Sequence, residues 1–181
     1  MNGGVQKVEQ LYKQTHEANM ELQTLWVEHV LFTWQWWVGV SLTIFPWIIW
    51  VLLRKKESTM RFLSAGFFIM FISYWLDSLG VQLGFWYYQY AVIPFIPASI
   101  PWNTSLLPVF VMFLLQMKNI PNPYIKAFIF ATISAFVAEP LAVWIKLYDP
   151  IKWKYLYSFP IYIVLFLISH YIYSRNSFQE S

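Results

Sequence analysis

The chain is expected to be all-α: a polytopic membrane helical bundle of about five transmembrane helices, built as two parallel hairpin repeats and preceded by an N-terminal amphipathic helix. Three observations predict this. First, of 181 residues 59% are hydrophobic and only 12% charged, against about 25% charged in soluble domains. Second, the apolar residues come in blocks close to the roughly 20 needed to cross a hydrocarbon core about 30 Å thick. Third, two of these blocks each hold one acidic residue, Asp77 and Glu139. A carboxylate at the bilayer centre costs about 2.5–3.5 kcal/mol even on the mildest insertion scale, so such residues mark sites.

The elements follow in order. Residues 1–33 form a polar N-terminal segment with a stripe of Val8, Leu11, Thr15, Ala18, Leu22 and Leu25. Steps of three and four residues predict an amphipathic helix that lies on the outer surface, pairs with a copy of itself, or extends the first span into solvent. Met1–Glu28 lacks the basic-then-apolar start of a secretory signal peptide. Residues 34–174 form the bundle, with spans at about Trp34–Leu53, Phe62–Gly84, Trp102–Met117, Ala127–Ile145 and Leu156–Ser174. The third is short. Pro46 kinks the first, and Trp34, Trp36, Trp37, Trp47 and Trp50 are placed as interface anchors. Residues 175–181 are a short cytoplasmic tail.

Basic residues set the orientation. Arg54, Lys55, Lys56, Arg61, Lys118, Lys126 and Arg175 make seven on one side, against Lys7, Lys13, Lys146, Lys152 and Lys154, five, on the other. The positive-inside rule then puts the N-terminus outside and the C-terminus inside a bacterial cytoplasmic membrane.

Depth and helix faces bring the two acids together. Asp77 is 16 residues past Arg61 and Glu139 is 13 past Lys126, rises of about 24 and about 20 Å at 1.5 Å per residue. Both fall in the outer half of the bilayer. Gly66, Met70, Ser73, Asp77, Gly80 and Gly84 share one stripe, and Thr132, Ala135, Glu139, Ala142 and Lys146 another. Small residues let membrane helices pack closely, so both acids should face protein. Pro140 directly after Glu139 frees backbone carbonyls beside the carboxyl group.

The two halves repeat in outline. Asp77 is followed by Gly84, Trp86, Tyr88, Pro101 and Asn103, and Glu139 by Trp153, Tyr155, Pro160 and Tyr162. Repeats related by an axis along the membrane normal often hold their ligand at the interface between them. The uncharged, aromatic, proline-bearing segment Phe85–Pro101 is a candidate lid or re-entrant loop over the outer end. The expected site therefore has Asp77 and Glu139 as catalytic acids, with Asn103, Trp86, Tyr88, Trp102, Tyr74, Trp144 and Tyr155 binding the ligand. In it, Asn103 and Tyr88 would orient a substrate, and tryptophan and tyrosine faces would hold a carbocation by cation–π attraction.

At this point the residues resemble a family. Ile93-Pro94-Phe95, Ile100-Pro101-Trp102-Asn103, Ser105-Leu106-Leu107-Pro108 and Leu115-Gln116, together with Glu139-Pro140-Leu141, Leu147-Tyr148-Asp149-Pro150 and Trp153-Lys154-Tyr155, look like an uncharacterised family of small multi-pass membrane proteins of Gram-positive endospore formers. The resemblance spans nearly everything after the N-terminal helix and implies a membrane location. A fainter pattern of Asp77, Gly84, Trp86, Tyr88 and Pro101 is similar to the repeat of membrane-bound carotenoid (lycopene-type) cyclases. That resemblance implies proton-initiated chemistry by intramembrane carboxyls. Asn103 and Thr104 stand where the cyclase pattern has an acidic pair.

Three function classes remain. The first is a pocket for an isoprenoid-like or other lipidic ligand, with or without cyclase or isomerase chemistry, since a carboxylic acid in an apolar pocket can keep its proton at neutral pH. The second is a proton-coupled transporter subunit, with His170 as a further relay. The third is a structural or regulatory subunit whose acids tie helices together. The expected partners are the lipid bilayer, a lipidic small molecule and a second copy in a homodimer, with no nucleic acid and no cofactor. Cysteine is absent and His16, His29 and His170 are far apart in the chain, so no metal site is expected. Nor does the chain carry a glycine-rich phosphate loop, a HExxH motif or a nucleophile elbow.

Overall fold

A computed structural model describes residues 3–175. It holds six helices: α1 Gly3–His29, α2 Trp34–Leu53, α3 Thr59–Gln82, α4 Trp102–Gln116, α5 Pro123–Trp144 and α6 Tyr155–Ser174. Four of them, α2, α3, α5 and α6, are long and apolar enough to cross a bilayer. This is compatible with a multi-pass membrane protein. The sequence-derived limits of α2 coincide with the observed ones, and the other four bundle helices shift by one to four residues at an end. All but Arg175 of the expected tail lies outside the described residues.

The third expected span is α4, five residues of π-helical turn and ten of α-helix. At 1.5 Å per residue it is about 22 Å long, short of a membrane crossing, and it is the most enclosed helix of the bundle. Leu107, Val109, Val111, Met112 and Leu114 are buried on several faces at once, as expected of a helix apolar all round. It packs against α2, α3, α5 and α6. Phe62, Ala65 and Ile69 of α3, Phe130 and Ala131 of α5, and Phe166 of α6 complete this core. Gly66 marks the closest approach: a Cβ there would press on the Met112 thioether, which would have to shift. Outside, large apolar side chains such as Phe71, Trp75, Phe128 and Val164 are exposed, a surface suited to lipid rather than to water.

The prolines shape α4 and α5. A proline removes one N–H and crowds the carbonyl four residues earlier. Pro108 follows the π-turn Trp102–Leu106, and Pro140 follows the π-turn Ser134–Ala138. The carbonyl that Pro108 leaves without its helical donor belongs to Thr104, and it accepts the Trp47 indole Nε1–H at 2.8 Å. Trp47 is thus a peg between α2 and α4, not simply an interface anchor. Trp50 is also buried, at 2% exposure. Lys126, taken as an edge residue, sits inside α5 and is buried as well.

α1 buries none of its residues, and the stripe from Val8 to Leu25 is exposed throughout. Its tie to the bundle is Trp26, whose indole donates to the Ala91 carbonyl at 2.7 Å. Trp36 donates likewise to the Val92 carbonyl at 3.2 Å. Both hold the segment between α3 and α4. That segment carries a two-residue strand, β1 Trp86–Tyr87, paired antiparallel with β2 Asp149–Pro150 from the α5–α6 connection. The two hairpin loops are therefore stitched to each other.

Candidate functional site

Asp77 lies on the buried face of α3 with Ser73 and Gly80. One turn on, Gly80 has no side chain, and the Trp86 indole occupies the space a Cβ would take. Gly84 adopts a positive φ of 68°, the left-handed conformation that ends helices and that glycine enters without penalty. The chain reverses there and brings the loop back over Asp77. Trp86 Nε1 and the Tyr88 hydroxyl then donate to Asp77 Oδ1, at 2.8 and 2.5 Å. The Ser99 backbone N–H donates to Oδ2 at 2.7 Å, and the Asn103 amide donates to the same oxygen. A carboxylate offers about four acceptor positions. All of Asp77's are used.

Glu139 is different. It opens the α-helical turn after the π-turn of α5 and is 6% exposed. Its Oε1 accepts from the Tyr162 hydroxyl at 2.9 Å, and Tyr162 in turn accepts from Trp102 Nε1 at 3.1 Å. Its Oε2 is buried with no hydrogen-bond partner. The Ser158 hydroxyl accepts from Trp153 Nε1 at 2.8 Å and has its own proton to turn toward the Glu139 carboxyl group.

The two halves correspond in position. Asn103 stands two residues after Pro101 and bonds Asp77, while Tyr162 stands two residues after Pro160 and bonds Glu139. Trp86 reaches its acid, whereas Trp153 stops at Ser158. One acid has a full set of donors and the other a partial one.

Both acids line one cavity of about 580 Å³, within the 300–1,000 Å³ typical of small-molecule sites. Leucines and isoleucines of α3, α4, α5 and α6, with Val38 and Leu42 of α2, make its aliphatic wall, and neither lysine, arginine nor histidine is among its lining residues. Phe85, Trp86, Tyr88, Tyr148 and Trp153 close the loop end as a packed aromatic group. Trp86 lies 5.0 Å from Trp153 and 6.2 Å from Tyr148, centroid to centroid. Burial first, and the charge of the nearby acids second, hold the Tyr88 and Tyr148 phenols above the usual tyrosine range, so both remain protonated donors.

Of the expected ligand-binding residues, Trp86, Tyr88, Trp102 and Asn103 line the cavity with the two acids. The polar atoms of Asn103 and Tyr88, however, are directed at Asp77 rather than free to orient a substrate. Three residues fall elsewhere. Trp144 is 80% exposed, because five residues beyond Glu139 is about 140° around a helix of 3.6 residues per turn. Tyr74 sits on the far side of Asp77 from the lining stripe of Ser73, Leu76 and Gly80, and Tyr155 begins α6 one turn before Ser158. Neither reaches the cavity.

Sequence reasoning missed Tyr148, Ser158 and the Ser99 N–H as site groups. Tyr162 was visible as a positional counterpart of Asn103 but was not assigned. Ser99 acts through its backbone, which leaves no side-chain signal. Among the described residues, no group of histidine, aspartate and glutamate side chains is arranged to hold a metal ion. No protein-family model matches the chain, and neither a curated protein nor a solved structure matches it.

Proposed function

We propose that this chain is a five-span protein of a bacterial cytoplasmic membrane, N-terminus outside, that binds an isoprenoid-like or other lipidic ligand in the cavity between Asp77 and Glu139. The observation that carries the reading is that single cavity: apolar, aromatic at one end, and bounded by both intramembrane acids. α4 completes the fifth crossing together with the loop that precedes it. The basic residues Arg54, Lys55, Lys56, Arg61 and Lys118 around the α2–α3 and α4–α5 connections support the orientation. The matched roles of Asn103 and Tyr162 support two parallel hairpin repeats with the ligand at their interface. The resemblance to small membrane proteins of endospore formers fits the same design.

The two acids divide the work. Asp77, with four donors from α3's own loop and α4, ties the hairpin together, and this favours a structural role for that residue. Glu139 has fewer donors than Asp77, with Tyr162 as its one close hydrogen-bond partner, and it lines the cavity. Any proton-initiated cyclase or isomerase chemistry falls to Glu139.

The test is lipid retention. The wild type, Glu139→Gln, Asp77→Asn and the cavity-filling Ala142→Phe are purified from the membrane, and co-purifying lipid is quantified by mass spectrometry. A retained lipid that is lost in Ala142→Phe and reduced in Glu139→Gln is the expected result. Equal occupancy in all four folded proteins refutes the reading.

A further inference from the structure

We infer that the end of the bundle away from the two acids carries a second, separate site: a basic pocket between the α2–α3 and α4–α5 connections that holds the phosphate group of an anionic phospholipid. It stands independently of the cavity between Asp77 and Glu139.

Charge is spread unevenly over the two ends of the bundle. Arg54, Lys55, Lys56, Arg61, Lys118, Lys126 and Arg175 all belong to this end, where α2, α4 and α6 finish and α3 and α5 begin. Glu57 is the one acid beside them among the described residues, since Asp77, Glu139 and Asp149 lie toward the other end. The one ion pair among the described residues, His29 with Glu28, belongs to α1. None of the cations at this end is paired with an acid there.

Three of the lysines converge. Lys55, Lys56 and Lys118 line a pocket of about 260 Å³ together with Gln116, Phe62 and Tyr173. Both sides of it are held in place. Gln116 ends α4; its side-chain oxygen accepts the Lys55 backbone N–H at 3.0 Å, and its carbonyl accepts the Lys55 ammonium at 2.9 Å. Opposite, the Tyr173 ring stacks on Phe62 at 4.9 Å, and the Tyr173 carbonyl accepts from Arg61 Nε at 2.9 Å. Ser58, which precedes α3, also lines the pocket, and its hydroxyl caps no N–H of that helix. The positive end of the α3 dipole therefore adds to the lysines.

Ammonium groups gathered around one concavity repel each other unless an anion lies among them. Glu57 can offset one of the three. A phosphate ester fits what is left: it is anionic, its oxygens are acceptors for several ammonium donors, and lysine binds phosphate as a point charge without a fixed fork. The volume sets a limit on size. At about 30 Å³ for each water it displaces, the pocket has room for about eight or nine waters, which suits a phosphate and its glycerol linkage but no acyl chain. The chains have a surface of their own, because Leu53 and Met60 flank the α2–α3 connection and are 65% and 66% exposed. A phosphate carried by the membrane satisfies both features, and a free phosphate only one. In the orientation proposed above this end meets the cytoplasmic leaflet, whose anionic lipids attract basic pockets between helices.

The full chain in nanodiscs of equimolar dioleoyl phosphatidylglycerol and dioleoyl phosphatidylcholine tests this. Native mass spectrometry of the released protein counts the lipid of each class that stays bound. One lysine near an anionic head group contributes about fivefold, so three opposed by Glu57 should favour phosphatidylglycerol by at least about tenfold. Lys56→Gln combined with Lys118→Gln leaves Lys55 against Glu57 and should bring the ratio near unity. Lys152→Gln combined with Lys154→Gln removes the same charge at the other end and should leave the ratio unchanged. All four lysines are exposed, so neither pair disturbs the core. Glycerol phosphate added in solution at the concentration of the phospholipid should displace none of it. Equal retention of the two lipids by the wild type overturns the site. So does a preference that survives the Lys56 and Lys118 changes, or one that falls equally with Lys152 and Lys154. Displacement by soluble glycerol phosphate overturns the phospholipid as its occupant.

Discussion

Replacing Asp77 by asparagine is the sharpest test of the division between the two acids. The substitution keeps the shape of the side chain and one oxygen, and turns the other oxygen into an NH₂ group. Trp86 and Tyr88 can still donate to the remaining oxygen, at the positions they now hold 2.8 and 2.5 Å from Oδ1. The Ser99 N–H and the Asn103 amide then face another donor instead of Oδ2. A buried donor left without its acceptor costs about 1–3 kcal/mol, so two such losses amount to about 3 kcal/mol or more. For a protein of this size each kcal/mol lowers Tm by about 2–4 °C, which predicts a drop of about 6–12 °C. Glu139→Gln is the matched control: it keeps the oxygen that Tyr162 bonds, and the Ser158 hydroxyl can turn to accept from the new amide. Its Tm should stay within about 2 °C of wild type. Thermal unfolding in one detergent, followed by near-UV circular dichroism, measures both. A fall in Tm of under 2 °C for Asp77→Asn, or a larger fall for Glu139→Gln, refutes the assignment of Asp77 as the structural acid.

Three other changes have defined outcomes. Gly80→Ala drives a methyl group into the Trp86 indole, so it should shift the tryptophan emission and destabilise by about 1–3 kcal/mol through overpacking; Gly66→Ala, which meets only the flexible Met112 side chain, should cost less in the same unfolding assay. Trp47→Phe leaves the Thr104 carbonyl without the donor that compensates for Pro108 and should destabilise by about 1–3 kcal/mol, whereas Trp34→Phe at an exposed site should change Tm little. Trp26→Phe removes the bond to the Ala91 carbonyl and should speed limited proteolysis of residues 88–98 without lowering the Tm of the bundle by more than about 2–4 °C.

What could be read from the sequence was what depends on helix periodicity. Asp77 and Glu139 share stripes with small residues, and those stripes are the buried ones around Gly66, Ser73, Gly80 and Ala135. Charge spacing located the helices, since an apolar run between basic loops admits few alternatives. The same periodicity argues against Trp144, which lies about 140° around the helix from Glu139. Interface tryptophans misled for another reason. Trp47 and Trp50 occupy positions where a belt is usual, and nothing local distinguishes a ring that faces headgroups from one that caps a carbonyl freed by a proline 60-odd residues away. The donors to Asp77 come from a loop whose path depends on Gly84, on Gly80 and on pairing with Asp149 and Pro150. Trp86, Tyr88 and Asn103 could be named beside Asp77 from the sequence, but that they bond the acid itself depends on contacts between distant segments.

The slender junction between α1 and the rest of the molecule has a mechanical consequence. Twenty-seven residues of helix, about 40 Å long at 1.5 Å per residue, meet the bundle through one indole at Ala91 and the short turn into α2. Ala91 belongs to the stretch that roofs the aromatic end of the chamber. A load applied along that lever is shared between the start of α2 and the covering of the chamber.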